Sequence, residues 1–178
     1  MNFEISSIKD MLNKSGEVFG NRPAYEIEGR IITHNEFRND VNSLGTALIE
    51  MGLKGKRIAV IGTNSYNWEM AYLSIVCGTG IVVPLDKTLP ENELESLIKR
   101  SSVEAIFFDE KYEENIKNIS RKNDNNLKIL ISMGKSTDEN VLIQSELIQK
   151  GKKCLEDGNS DFIDSEIDEN AMSILLFT

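Results

Sequence analysis

Apolar and polar positions fall in blocks along this chain, and the blocks predict its elements. Between Lys56 and Asp109 lie three short apolar runs, Arg57–Gly62, Ile81–Leu85 and Val103–Phe108. They are rich in Val, Ile and Phe and bounded by Gly, Asn, Pro, Asp or Ser. Runs of this length and composition read as strands buried on both faces. Between them Trp68, Ala71, Tyr72 and Ile75, and then Leu94, Leu97 and Ile98, recur at the spacing of one helix face. Strand, helix, strand, helix, strand at a repeat of roughly twenty residues predicts right-handed crossovers and a parallel sheet. Leu127–Met133 extends it by a fourth strand. The fold class is α/β, a parallel-rich sheet flanked by helices.

Ahead of this block, Ile5, Ile8, Met11 and Leu12 predict an amphipathic first helix, loosened by Gly16 and Gly20. Ala24–Ile27 and Arg30–Thr33, around Glu28-Gly29, predict a small β-hairpin. Thr33 and Glu36 have the spacing of a capping box. Phe37, Val41, Leu44, Leu48 and Met51 follow as one apolar stripe, and Gly52 is a helix stop. Strands follow at once, so the stripe is read as packing on the sheet and not as a surface for a partner helix. Beyond the third strand, Glu110–Lys122 reads as a weakly amphipathic helix and Asn123–Asn126 as a turn. Val141, Leu142, Leu147 and Ile148 predict a helix ending near Gly151 or after Lys153. Residues 156–169 hold seven carboxylates and no Lys or Arg, the composition of a solvated, mobile linker. Ala171–Thr178 has the pattern of a final buried strand.

Composition narrows the class. With 178 residues, 40% of them hydrophobic, the chain can build one core. A charged fraction of 28% and three prolines argue against overall disorder. A net charge of −9 weighs against nucleic acid and against anionic membrane surfaces as partners. Cys77 and Cys154 lie far apart and suggest neither a disulfide framework nor a zinc site; Cys77, in an apolar helical pattern, reads as a buried thiol. The first ten residues lack the basic-then-apolar order of a signal peptide, and no apolar run is long enough to cross a bilayer. The expected location is the cytoplasm.

Little in the chain carries chemistry by itself. A phosphate loop needs glycines that let backbone N–H groups close on the phosphate, plus a Lys. Gly78-Thr79-Gly80 follows a helix and precedes a strand, the reverse of a dinucleotide site, and reads as a helix stop and tight turn. The Gly62-Thr63-Asn64-Ser65 turn could hold an anion, but Asn64 or Ser65 as a helix N-cap is the simpler reading. His34 has no Ser or Cys partner visible in the sequence, and a structural role is preferred over a nucleophilic triad. Trp68 and Tyr72 read as core and not as a ligand platform. No metal-binding motif is present. No catalytic residue and no metal ligand is assigned.

Several stretches together carry a resemblance: Lys56–Glu69 (KRIAVIGTNSYNWE), Val82–Asp86 (VVPLD), Thr88–Leu94 (TLPENEL), Ser101-Ser102, and Thr33–Phe37 (THNEF). Together they resemble the N-terminal part of the adenylate-forming (AMP-binding) acyl-CoA synthetases, the TLPENEL piece being most like the long-chain fatty-acid branch. Residues 111–169 carry no matching motif. The resemblance implies that residues 1–178 form one N-terminal α/β subdomain of a larger enzyme, with 156–169 as a linker before the last strand. It implies ATP, Mg2+ and coenzyme A as cofactors and a carboxylic acid, such as a fatty acid, as the small-molecule substrate. A homo-oligomer stays open. In this family such a strand is followed by a Ser/Thr/Gly-rich phosphate loop. Phe177-Thr178 matches the loop's first two positions, so Thr178 is the single cofactor-binding residue the resemblance assigns. The resemblance therefore implies that the 178-residue chain alone is inactive. The alternative is a non-catalytic α/β module for ligand binding or oligomerisation, since fold alone does not select a function.

Overall fold

The computed structural model describes residues 4–122 and 124–177. Ser7 caps α1 (Ile8–Phe19), its hydroxyl accepting from the Asp10 N–H. The hairpin β1 (Pro23–Ile27) and β2 (Arg30–Thr33) pairs antiparallel. Thr33 then opens α2 (His34–Glu50) with both halves of the capping box: its hydroxyl accepts from the Glu36 N–H, and the Glu36 carboxylate accepts from the Thr33 N–H. Gly52, at φ +79°, ends the helix in the left-handed region.

Five parallel strands follow: β3 (Arg57–Ile61), β4 (Ile81–Leu85), β5 (Ala105–Phe108), β6 (Ile129–Ser132) and β7 (Val141–Ile143). Their order across the sheet is β4-β3-β5-β6-β7. The connections carry α3 (Tyr66–Ser74), α4 (Glu91–Ser101) and α5 (Glu113–Ser120), and α6 (Gln144–Glu156) follows β7. Side chains alternate along each strand, so both faces are covered. Ile58, Val60, Ala105 and Phe107 join one core with residues of α1, α2, α3 and α6. Ala59, Ile61, Ile106 and Phe108 join the other with residues of α4 and α5. The result is three layers with the sheet in the middle.

Four expectations change. First, α1 runs through Gly16, against which the Arg38 guanidinium packs; its inward positions are Ile8 and Leu12, while Ile5 and Met11 are exposed. Second, Val141 and Leu142 belong to a strand and not to a helix. They pair with Leu130 and Ile131, and the helix starts at Gln144. A sheet edge offers hydrogen-bond partners that a short apolar run cannot announce. Third, the run from Ala171 is no full strand. Among the described residues Ile174 alone bridges to Val82, and Met172 and Leu176 are exposed. Fourth, residues 156–169 expose all seven carboxylates yet are docked: Phe162 is fully buried. The segment Ile75–Thr79 winds as a π-helical turn closed by Gly78 at φ +151°, the expected helix stop before β4.

Candidate functional site

In an open parallel sheet, ligands bind outside the carboxyl ends of the strands, above all where the strand order reverses. Here that point lies between β3 and β5. Their ends are joined by the chain's own groups. The Thr63 N–H donates to Asp109 Oδ2 at 2.7 Å, and the Asp109 N–H donates to the Ile61 carbonyl at 3.2 Å. A carboxylate thus fills the place where the turn after β3 could hold an anion. Ser65 caps α3, its hydroxyl accepting from the Trp68 N–H at 3.2 Å, which agrees with the N-cap reading of this turn. Next to it Asn67 Nδ2 donates to the Met133 carbonyl at 2.7 Å, and Gln144 Nε2 donates to the Asn67 carbonyl at 3.0 Å. This chain of amides ties the carboxyl ends of β6 and β7 to α3.

The second place at the rim is the β4 edge. Because Ile174 bridges Val82 in parallel, the segment from Ser173 to Phe177 runs the same way as β4, toward the carboxyl rim. The Val82 N–H donates to the Ser173 carbonyl and the Leu175 N–H to the Val82 carbonyl, at 3.0 and 2.9 Å. Phe177 lies under the Arg100 guanidinium, 5.5 Å from ring centroid to Cζ. Pro84, Asp86, Leu89, Leu97, Arg100 and Phe177 border a groove of about 410 Å³ there. Thr178, the residue assigned to ATP by resemblance, lies outside the described residues.

The remaining candidates are structural. His34 does have a serine partner: Ser15 Oγ lies 2.6 Å from His34 Nδ1, and the Phe19 ring is tilted against the imidazole. This contact closes α1 onto the start of α2, which no spacing in the sequence could reveal. Trp68 and Tyr72 stack at 5.3 Å on the outer face of α3, half-buried beside the core and not within it. Cys77 is buried, and its thiol is pushed up to about 12 by desolvation, with Lys9 pulling the other way. The pair of cysteines is free. Among the described residues no three His, Cys, Asp or Glu side chains gather as a metal site, and no helix is long and apolar enough to cross a membrane.

Sheet order, two covered faces and a reversal point define a doubly wound parallel α/β domain, a class that presents its ligands at the carboxyl rim. The chain belongs to the AMP-binding enzyme family, whose model matches residues 12–178. It is 26% identical over 104 residues to the dapdiamide synthesis protein DdaD of Enterobacter agglomerans, covering 58% of this chain and 18% of that protein. It is 26% identical over 109 residues to the mitochondrial medium-chain acyl-CoA ligase ACSF2 of Rattus norvegicus, covering 60% and 18%. The chain thus spans a minor part of the length of these relatives. Its fold resembles that of the long-chain-fatty-acid-CoA ligase FadD1 from Archaeoglobus fulgidus, with a TM-score of 0.80 at 18% identity, over 100% of this chain and 35% of that one.

Proposed function

We propose that this chain is the N-terminal subdomain of an ATP-dependent acid–thiol ligase (AMP-forming) that activates a carboxylic acid, a fatty acid in the first instance. The carboxylate oxygen attacks the α-phosphate of ATP, the bond to pyrophosphate breaks, and an acyl-adenylate forms. The thiol of coenzyme A then takes the acyl group and AMP leaves. What supports this reading is the family match across residues 12–178 together with the course of residues 173–177, which run beside β4 toward the carboxyl rim. Thr178 stands at the edge of the nucleotide loop in this proposal. Charge stabilisation of the phosphates by Mg2+ belongs to such chemistry; among the described residues no three His, Cys, Asp or Glu side chains gather around a common point. The role of this subdomain is to hold the loop: positioning and electrostatics are most of what a protein contributes to transfer at phosphorus. The fatty-acid assignment rests on TLPENEL and on the similarity to a medium-chain acyl-CoA ligase and a long-chain-fatty-acid-CoA ligase.

The test is acid-dependent exchange of labelled pyrophosphate into ATP, with a panel of fatty and aryl acids. It is run on the 178-residue chain and on a longer reading frame that contains it. The expected outcome is exchange by the longer protein and none by the chain alone. Exchange by the chain alone would show that the nucleotide-holding groups lie within it. A longer protein that exchanges with no carboxylic acid would overturn the reading.

A further inference from the structure

One buried lysine docks the acidic segment. Lys9 of α1 is only 9% exposed. Its ammonium donates three hydrogen bonds: to the Phe162 carbonyl at 2.8 Å, to the Ser165 carbonyl at 2.6 Å and to Ser165 Oγ at 2.8 Å. An ammonium has three donors, and all three are used on uncharged acceptors. The same Nζ lies 5.5 Å from the centroid of the Phe162 ring. That ring fills a hollow over Gly45 of α2, where a Cβ would come within 2.2 Å of it, and Ser165 Oγ packs as closely over Gly78 of the π-helical turn. Three separate elements therefore converge on residues 162–165. Burying an ammonium is costly unless every donor is met. Seven carboxylates in 156–169 offered exposed partners, yet Lys9 takes backbone and hydroxyl oxygens. The arrangement fixes the path of the chain and does not neutralise charge.

The consequence lies a few residues on. Beside β4 the chain is held by one bridge, Val82 with Ile174, and by the two backbone hydrogen bonds at Val82. Leu175 and Phe177 pack on the core shared with α4 and α5, while Ile174 packs on the opposite one. A slip of one residue would move the chain about 3.3 Å and turn each side chain to the wrong face. We propose that Lys9 is a positioning residue: by clamping Phe162 and Ser165 it sets the register of residues 173–177 on β4. It thereby sets the point at which the chain delivers its next residues to the carboxyl rim. The functional half of this inference rests on the adenylating reading above, with ATP as the ligand at that rim.

Hydrogen exchange on the 178-residue chain tests the clamp. In Lys9→Met, peptides covering 160–177 should exchange about tenfold faster or more, since hydrogen bonds to a charged group are lost. Peptides from β3 and β5 should not change. Ser165→Ala, which removes one acceptor of three, should give a smaller rise in the same peptides. In the longer protein Lys9→Met should raise the KM for ATP about tenfold and leave kcat within about twofold, as expected for misplaced binding groups. Unchanged exchange in both variants would overturn the clamp. Faster exchange throughout the chain would reduce Lys9 to a general stabiliser and overturn the positioning role. Local loosening with an unchanged KM would overturn the functional half. A wild-type protein without pyrophosphate exchange would sink the adenylating reading, and the exchange data would still decide the clamp.

Discussion

Cys77 keeps its proton far above the ordinary thiol range because burial penalises the thiolate. Below the ordinary thiol pKa the folded and unfolded chains hold this proton equally, and its contribution to stability is fully present. As pH rises past that value the unfolded chain releases the proton while the folded chain holds it up to about 12. The unfolded state is favoured across that window by up to about 1.4 kcal/mol per pH unit. The Tyr25 and Tyr66 phenols are also raised by burial, helped by bonds to Glu69 and Asp40, and act in the same direction at higher pH. Comparison with Cys77→Ala isolates the thiol. Between pH 9 and 11 the wild type should lose stability to urea more steeply than the variant. Parallel pH profiles would show that the thiol ionises freely in the folded chain. At this scale the sequence announced a buried thiol from its apolar surroundings. It could not announce that the Lys9 ammonium lies near it, since that proximity is made by the packing of α1 on the π-helical turn.

The elements that were legible are those whose signals are local. The Thr33–Glu36 box, the stripe on α2 and the stop at Gly52 all reappear where the sequence put them. Leu44 is fully buried in the core that α2 shares with the sheet. Leu44→Ala should cost about 2–5 kcal/mol, from lost transfer energy and the cavity left behind. Equilibrium urea unfolding measures this, and an unchanged midpoint would mean that the stripe faces solvent or a partner. The less legible elements depend on neighbours. Val141–Ile143 is a strand because β6 offers it an edge to pair with, and among the described residues the run after Ala171 meets β4 by the single bridge of Ile174 to Val82. Neither condition is written in the residues themselves.

For the whole molecule, the acidic segment is the main departure from the sequence reading. Its charge pattern is that of a linker, and its carboxylates are in solvent, yet Phe162 is part of the same core as Leu44, Leu48 and Val60. Phe162→Ala should therefore cost about 3–5 kcal/mol, as for any large core aromatic. A change within about 0.5 kcal/mol, the range of surface substitutions, would restore the linker reading. The sequence by itself determined the α/β class, the hairpin, the capped helix and four of the five strands, because apolar period and cap spacing act over a few residues. It also carried the family resemblance in motifs that stand on strand ends and turns. Only the tertiary structure decided which edges the sheet ends on, that Asp109 closes its reversal point, and that Lys9 and Phe162 fasten the acidic segment. Those contacts join residues 46 to 156 positions apart, and no local pattern encodes which distant groups will meet once the layers have packed.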